Sequence, residues 1–515
     1  MTTGQIGMIV TIIVYLAGML GVGIYFSRRG SSDSSSEYFL GGRKVGPLVT
    51  AMSAEASDMS SWLLMGMPGV AYISGIADAS WTAIGLAIGT YLNWLLVAKR
   101  LRRYTIVADN AITIPEFFSK RYRDQRHLLS CIAAILILVF FIPYTASGFK
   151  AIGTLFNSLF GVNYHLAMIL GALVVIGYTV LGGFMAVSTT DLIQSIVMSI
   201  ALVVIVFFGA HCAGGFDAVA ENARNLTGYL SLTQLHDAAT GGASSYGFLS
   251  IISTLAWGLG YFGMPHILLR FMAIRDEKEL ATSRRIGSIW VVISMFVAIF
   301  IGLIGNAATA AGTLPTLATS SEAETVVVLF AQLLSNNGFL AAVIAGIVIA
   351  GILASTMSTA DSQLLAASSS VSQDLLGGFF KIKLSNKATT LVAQGTVIAI
   401  SIIGIILAWN PDSSVFKIVS FAWAGFGAAF GPVVLFALFW KRSNKWGALA
   451  GMVSGGLMVF IWKFLVRPLG GAWDLYELLP AFIVGCIAIV VVSLLTAPPS
   501  KEICDEFDSV KNMKG

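Results

Sequence analysis

SAEASDMSSW, residues 53–62, places two carboxylic acids and four serines within ten positions. The stretches on both sides of it are apolar enough to lie in a membrane. A charged side chain at the centre of a bilayer costs at least about 2.5 kcal/mol, and no Lys or Arg occurs between Lys44 and Lys99 to neutralise it. Two acids in such surroundings therefore indicate either a functional site or side chains that reach the membrane surface.

The serines of this stretch also have a simpler interpretation, in which each hydroxyl bonds to the preceding turn of its own helix and the acids reach the membrane surface. Asp58 lies near the middle of its apolar span, which favours function, since an ionisable residue within a membrane usually marks a functional site. Glu55 lies nearer one end of the span, so for Glu55 both interpretations stay open.

The composition identifies the class of protein. Of 515 residues, 57% are hydrophobic and only 11% are charged, whereas a soluble domain has about 25% charged residues. We therefore predict an all-α polytopic membrane protein, because a helix satisfies its own backbone within lipid. Apolar windows of about 20 residues predict thirteen membrane-spanning helices, at residues 6–27, 45–72, 78–98, 127–150, 165–183, 189–212, 248–270, 285–311, 338–372, 390–409, 415–440, 445–466 and 478–497.

The positions of Lys and Arg predict the orientation. We place 26 of the 31 basic residues in loops on one side of the membrane. The five on the other side are Lys150, Arg224, Lys417, Lys463 and Arg467. Because loops rich in Lys and Arg stay in the cytoplasm, the N-terminus is predicted outside and the C-terminus inside. The first apolar run lacks the flanks of a signal peptide and is expected to be a retained helix, and the tail after Pro499 is expected to be mobile.

Prolines interrupt four of the predicted spans. They are Pro68, Pro143, Pro265 and Pro432. Two of them share a local frame, GMPG at residues 66–69 and GMPH at 263–266, in spans that lie five helices apart. A repeated five-helix unit inverts its orientation in the bilayer, and paired interrupted segments in two halves point to a transporter site. Because Gly and Pro are frequent in membrane helices, the similarity of these two short motifs alone does not establish an internal repeat.

A second polar cluster, ASTMSTADSQLLAASSS at residues 354–370, lies in the ninth span. The hydroxyl residues at helical spacing on one face are Ser355, Ser358, Thr359 and Ser362. Such a stripe is often a helix–helix interface. Together with residues 53–62 it predicts a sodium site, in which carbonyls of an unwound helix and hydroxyls of a facing helix coordinate the ion and Asp58 offsets its charge. Asp361 points away from the stripe and is free to pair with a base of a cytoplasmic loop.

Aromatic residues accompany two of the predicted helix breaks. Trp257 and Tyr261 occupy positions i and i+4 before Pro265, and Tyr144 follows Pro143. Aromatic faces suit an apolar ring and attract cationic amines, so these residues are candidates for a small-molecule pocket. Packing in the core or against lipid is an equal alternative.

Other classes of protein lack support in the sequence. Four distant cysteines and five scattered histidines form neither a disulfide framework nor a metal motif. The G-x-G-x-x-G in WGLGYFG, residues 257–263, is not preceded by a strand, which excludes a dinucleotide site. We find no nucleophile–base pair, so we expect no enzyme, no cofactor and no nucleic-acid partner. A membrane-embedded sensor remains a rival, although the short C-terminal tail argues against a fused signalling domain.

Five stretches together resemble the sodium:solute symporter family, over residues 6–498. They are YFLGGRKVGP (38–47), SDMSSWLLMG (57–66), AWGLGYFGMPHILLRFMA (256–273), MSTADSQLL (357–365) and AWAGFGAAFGPVVLFALFW (422–440). The resemblance is strongest to bacterial members that import L-proline across the cell membrane with sodium as the coupling ion. Other members carry other amino acids, sugars or vitamins, so the substrate depends on the likeness of the pocket motifs.

The resemblance implies a leucine-transporter-type fold, with two inverted five-helix repeats, one helix before them and two after. The implied parts are an N-terminal helix and cytoplasmic loop (1–44), a first repeat (45–212), an external loop (213–247), a second repeat (248–440), two C-terminal helices (441–498) and a cytoplasmic tail (499–515). The oligomeric state, the stoichiometry and the conformation are not implied.

By the same resemblance, sodium would be bound by carbonyls of Ala56, Met59 and Ser355 and by hydroxyls of Ser358 and Thr359, with Asp58 needed for sodium binding. L-Proline would contact Ser57, Tyr144, Trp257, Tyr261 and Pro265. Arg43 and Asp191 match functionally sensitive polar positions near the cytoplasmic side. Glu55 and Asp361 depart from the family pattern. These two acids could pair with a base such as Arg43, tune the ion affinity or form a proton-sensitive gate.

Overall fold

The computed structural model describes residues 2–29 and 35–513, so Met1, residues 30–34 of the first predicted loop and the last two residues of the tail lie outside it. Nearly all of the regular structure is helical. The helices are α1 (Thr3–Arg29), α2 (Ser35–Leu40), α3 (Pro47–Asp58), α4 (Met67–Ser74), α5 (Ile76–Leu92), α6 (Lys99–Val107), α7 (Ile114–Arg121), α8 (Leu128–Phe160), α9 (Tyr164–Cys212), α10 (Phe216–Asn225), α11 (Phe248–Leu255), α12 (Pro265–Ala273), α13 (Leu280–Ala310), α14 (Ser320–Ala323), α15 (Val326–Ser335), α16 (Phe339–Ser369), α17 (Asn386–Leu407), α18 (Val415–Phe439), α19 (Lys445–Ile461), α20 (Leu478–Leu495) and α21 (Lys501–Asn512). One antiparallel hairpin joins β1 (Gln234–Asp237) to β2 (Gly242–Ser245), with Gln234 opposite Ser245.

The apolar helices confirm a multi-pass membrane protein. Ten helices of the described residues are long and apolar enough to cross a bilayer, or eleven if Phe248–Gly263 and Pro265–Ala273, which meet at 47°, form one span. Two further predicted spans correspond to divided helices. One is α3 with α4, and the other is the first part of α9, which bends at Gly183 (φ 61°, ψ −177°). The thirteen predicted apolar segments therefore coincide with helices. The count of ten or eleven is lower because it includes only continuous or singly bent helices, and it omits the two other interrupted spans.

Two of the predicted spans are broken, but only one of the four prolines, Pro265, lies directly at a break. α3 ends at Asp58, and Met59 leaves the helical region with ψ 70°, so this break lies well before Pro68, which occupies the first turn of α4. A proline is tolerated there because the first turn has no use for its missing N–H. The other break falls at Met264 (ψ 106°), directly before Pro265, as expected for a residue that precedes proline. Pro143 and Pro432 lie inside continuous helices.

Glycines let the second broken helix pack closely against its neighbours. Ala256–Gly263 forms a 3₁₀ segment. A Cβ on Gly89 of α5 would lie 2.2 Å from the carbonyl oxygen of Gly258, and a Cβ on Gly260 would lie 2.0 Å from Nε1 of Trp423. Real Cβ atoms do not approach so closely, so both positions require glycine. The packing keeps the irregular backbone inside protein, as a membrane requires.

The C-terminal tail is an ordered helix, and the expectation that it is mobile is wrong. Phe507 of α21 is 4% exposed, and its ring lies between the guanidinium groups of Arg100 (5.0 Å) and Arg121 (5.4 Å). Glu506 accepts a hydrogen bond from Arg123 at 2.7 Å, and Lys441 pairs with Asp508. The apolar spacing of Ile503, Phe507 and Val510 was the sequence signal for this amphipathic helix.

We expect Phe507→Ala to release α21 from helices α6 and α7, which carry Arg100 and Arg121. A twelve-residue helix is marginal in water, and a buried Phe truncated to Ala costs about 3–5 kcal/mol. Trypsin should therefore cut after Lys501 and Lys511 at least about tenfold faster in the detergent-solubilised protein, since proteolysis follows the open population. Asp505→Ala changes the exposed face of the same helix, and trypsin should cut this variant at the wild-type rate. Equal rates of tryptic cleavage for Phe507→Ala and wild type would contradict the packing of α21 through Phe507.

Candidate functional site

The end of α3 meets the middle of α16, although the two stretches are about 300 residues apart in the chain. The hydroxyl of Ser358 donates to the carbonyl oxygen of Ala56 at 2.7 Å. The carbonyl oxygen of Ser355 accepts from Ser358 at 3.3 Å and from Thr359 at 3.2 Å. All four residues are buried. Two carbonyl and two hydroxyl oxygens of the predicted ion ligands therefore lie together near the end of α3.

Asp58 and Met59 follow Ala56 at the end of α3. Met59 has left the helical conformation, and the last carbonyls of a helix have no partner within it. The Asp58 carboxylate is fully buried, and its Oδ2 accepts a hydrogen bond from the Tyr261 hydroxyl. Its Oδ1 has no hydrogen-bond partner among the described residues. An uncompensated carboxylate is costly inside a protein, so the acid at this place suits a bound cation.

The chemistry of the donors fits a hard monovalent cation. The cluster offers oxygen ligands from main chain and alcohols, and no group of three or more His, Cys, Asp or Glu that could hold a transition metal occurs among the described residues. Oxygen ligands suit hard cations, and a low ligand charge weakens binding. The residues therefore fit the predicted sodium ion and not zinc or iron.

The predicted aromatic residues enclose the same break. Tyr144 donates its hydroxyl to the carbonyl oxygen of Asp58 at 3.3 Å, and Trp62 donates its indole N–H to the same oxygen at 3.1 Å. The Tyr261 ring meets the Trp423 ring edge-on at 5.1 Å. The aromatic groups therefore lie against the unwound backbone in the protein interior, and the alternative of lipid-facing aromatics is wrong for Tyr144 and Tyr261.

Trp257 lies at the boundary between this interior and a large cavity. Its ring is 6.4 Å from Trp62, 5.2 Å from Phe416 and 5.0 Å from Tyr476. The cavity has a volume of about 1000 Å³, and Trp257 and these last two rings line it, together with Gly66 at the start of α4. Lys417, Lys463 and Arg467, three of the five basic residues predicted on the side opposite the basic loops, also line the cavity.

Ser57 and Pro265 are the two other residues predicted to contact the solute. The Ser57 hydroxyl donates to the carbonyl oxygen of Ala54 at 3.0 Å, which matches the simpler interpretation of a serine that bonds to its own helix. Pro265 is buried in the first turn of α12. The next residue, His266, is also fully buried, and neither ring nitrogen has a hydrogen-bond partner among the described residues.

Asp191 belongs to a buried ionic network that the sequence did not predict. Arg270 of α12 donates to Asp191 at 3.2 Å, to Ser53 at 3.0 Å and to Ser362 at 2.5 Å. It also donates to the carbonyl oxygen of His266 at 2.7 Å. Sequence analysis assigned Arg270 to a basic loop, but the structure buries it. The apolar neighbours in HILLRFMA were the available signal, since a base within a membrane segment usually has a function.

Arg43 and Glu55 do not form the pair that was one of the alternatives. The Arg43 guanidinium donates to the carbonyl oxygens of Met272 (2.7 Å) and Ala111 (2.9 Å). Oε1 of Glu55 accepts from the indole of Trp94 at 2.8 Å and from Thr90 at 3.0 Å. Oε2 of Glu55 has no hydrogen-bond partner among the described residues. A pairing of Glu55 with Arg43 is therefore wrong, and its other two proposed roles stay predictions.

Asp361 is fully buried in α16, beside the network of Arg270. Its Oδ1 accepts from the Ser362 hydroxyl at 3.3 Å, and that hydroxyl also receives the Arg270 guanidinium. Arg43 bonds elsewhere, which removes it as a partner of Asp361 as well. Glu55 and Asp361, the two residues that depart from the family pattern, therefore lie on different sides of α3, and each has its own hydrogen-bond partners.

Comparisons with known proteins agree with this geometry. The model of the sodium:solute symporter family matches residues 38–455. The osmoregulated proline transporter OpuE of Bacillus subtilis is 41% identical over 498 residues, which cover 96% of each chain. The sodium/proline symporter of Staphylococcus aureus is 40% identical over 514 residues, covering 98% of this chain and 96% of that protein.

Solved structures share the fold. A sodium-coupled sialic acid symporter in a substrate-bound outward-open state superposes with a TM-score of 0.77 at 21% identity, covering 96% of this chain and 99% of the other. MhsT in complex with L-phenylalanine gives a TM-score of 0.52 at 14% identity, covering 88% and 98%. These likenesses concern the fold alone, and they confirm the leucine-transporter-type architecture.

Proposed function

The chain belongs to the sodium:solute symporter family, and we propose that it is a secondary active symporter that imports L-proline together with sodium. The observation that carries this proposal is the oxygen cluster between α3 and α16, where the Ser358 hydroxyl reaches the Ala56 carbonyl at 2.7 Å. The names of the two relatives, which share about two-fifths of their residues with nearly the whole chain, support proline as the solute.

Sodium would tie the broken helix to the continuous one. The ligands in this proposal are the carbonyls of Ala56, Met59 and Ser355 and the hydroxyls of Ser358 and Thr359. Asp58 would offset the charge of the ion, and its bond to Tyr261 would transmit ion binding to the aromatic residues. Each ligand then stabilises a state that the other prefers, so the coupling between sodium and proline is reciprocal.

The solute would lie beside the two helix breaks, against Ser57, Tyr144, Trp257, Tyr261 and Pro265. The positive end of a half-helix dipole attracts a carboxylate, and α12 begins at this place. Aromatic faces cover the pyrrolidine ring. A zwitterion would thus meet a polar helix end and an apolar wall within one site.

The mechanism in this proposal is alternating access between two inverted repeats, residues 45–212 and 248–440. The basic loops would face the cytoplasm of a bacterial cell, with the N-terminus outside, so the large cavity would open to the outside. Inward movement of one positive charge is favoured by about 2.3 kcal/mol for each 100 mV of membrane potential. No catalytic group, cofactor or nucleic acid has a part in this cycle.

Uptake into proteoliposomes tests this proposal. With an inward sodium gradient, we expect the purified protein to accumulate radiolabelled L-proline above the outside concentration, and potassium in place of sodium should abolish accumulation. A panel of unlabelled amino acids, sugars and vitamins at about hundredfold excess should identify proline as the strongest competitor. Accumulation of another solute in preference to proline would refute the substrate, and accumulation without sodium would refute the coupling ion.

A further inference from the structure

The loop between α19 and α20 reaches back to the proposed solute site. Tyr476, at the end of this loop, stacks on Trp257 with ring centroids 5.0 Å apart and planes only 20° apart. Both rings line the large cavity, and Tyr476 is 7% exposed. The two helices that follow the repeats thus contribute a side chain at the mouth of the site, which no sequence pattern indicated.

Three contacts fix the position of Tyr476. Its backbone N–H donates to the Ser253 hydroxyl of α11 at 2.5 Å, and its own hydroxyl donates to the carbonyl oxygen of Ser420 of α18 at 2.6 Å. The next residue, Glu477, is fully buried and accepts hydrogen bonds from Lys463 (3.1 Å) and Arg467 (3.0 Å). The ring is therefore held from α11, from α18 and through its own loop.

Trp257 also packs against Phe416 and Trp62, and Tyr476 adds the stacked contact beside the cavity. The carbonyl oxygen of Trp257 is held by the indole N–H of Trp423 at 2.8 Å, but the ring itself projects to the cavity wall. Without Tyr476 the indole would have room to rotate into a space of about 1000 Å³. A side chain that is already fixed in its ligand-bound conformation loses less conformational entropy when the ligand binds.

We propose that Tyr476 is a positioning residue for solute binding, which holds the Trp257 indole in the orientation that contacts the solute. This inference rests on the proposed function, since it takes Trp257 as a solute contact. It assigns the loop at residues 462–477 to the solute site. Tyr476 should therefore influence the apparent affinity for proline and leave sodium binding at α3 and α16 unchanged.

Two substitutions at this position separate the ring from the hydroxyl. Tyr476→Leu removes the stacked face, and the proline concentration for half-maximal uptake should rise about tenfold, the size expected for loss of an aromatic pair with its buried area. Tyr476→Phe retains the ring and should restore a value within about twofold of wild type. The sodium concentration for half-maximal uptake and the maximal rate per transporter should stay within about twofold in both variants.

Trp473→Leu is the matched control, because Trp473 belongs to the same loop but contacts Trp462 and not Trp257. A Tyr476→Leu variant with wild-type proline dependence, or one in which the maximal rate falls while proline dependence is unchanged, would overturn the inference and leave the proposed function intact. Equal changes in proline and sodium dependence would also overturn it. Wild-type protein that transports no proline would overturn the proposed function, and this inference with it.

Discussion

Replacement of Ser358 and Thr359 together with alanine should raise the sodium concentration for half-maximal proline uptake by at least about tenfold, which corresponds to about 1.4 kcal/mol of ion binding. The two hydroxyls lie at the carbonyls of Ala56 and Ser355. Their removal would leave a bound ion with main-chain ligands and Asp58 only. Alanine is the best helix former, so α16 should remain continuous. The maximal rate at saturating sodium should therefore fall much less than the ion affinity.

A second pair of hydroxyls on α16 provides a matched control. Ser368 and Ser369 are equally buried but donate to carbonyls of their own helix, at 2.9 and 2.8 Å. Alanine at both positions should leave the sodium dependence within about twofold of wild type. If the Ser358 and Thr359 variant also keeps the wild-type sodium dependence, the ion does not bind between α3 and α16, and the coupling scheme fails.

The two polar stretches were predictable because each combines groups that a membrane does not tolerate alone. Residues 53–62 and 354–370 carry acids and hydroxyls in apolar surroundings, and such groups need partners inside the protein. Their combination suggested that oxygens of the two stretches share an ion, and the resemblance to the family supplied the individual ligands. The exact point at which α3 unwinds was less predictable: Pro68 marked the span, but the backbone leaves the helix at Met59, directly after Asp58.

The missed residues act through contacts between distant segments. Arg270 lies beside basic loop residues in the chain, so charge counting hid its burial next to Asp191. Tyr476 lies more than 200 residues after Trp257, in a loop with no pattern that distinguishes it from other aromatic residues at a membrane surface. α21 carried a readable amphipathic pattern, but its charges favoured a solvated tail. Only the packed structure determines which of these polar and aromatic groups meet.

Replacement of Arg270 with glutamine should abolish proline uptake and lower the thermal stability of the protein. The arginine connects Ser53 of α3, Asp191 of α9 and Ser362 of α16, and its side chain and that of Asp191 are 2% and 0% exposed. Loss of one partner of a buried ion pair costs about 3–5 kcal/mol because the other charge stays in the interior. In the proposed transport cycle these helices form the closed cytoplasmic side while the large cavity is open to the outside.

The double variant Arg270→Gln with Asp191→Asn separates the charge from the packing. If the cost arises from the uncompensated Asp191 carboxylate, the double variant should melt at a higher temperature than Arg270→Gln alone, as expected for residues that interact directly. The recovery should be partial, because Arg270 also offsets the charge of the buried Asp361. Arg275→Gln is the control, since Arg275 forms a largely exposed pair with Glu279, and such pairs contribute only about 0–1 kcal/mol. A double variant as unstable as the sum of the two single variants would show that the arginine stabilises the closed side by packing, and that its pairing with Asp191 contributes little.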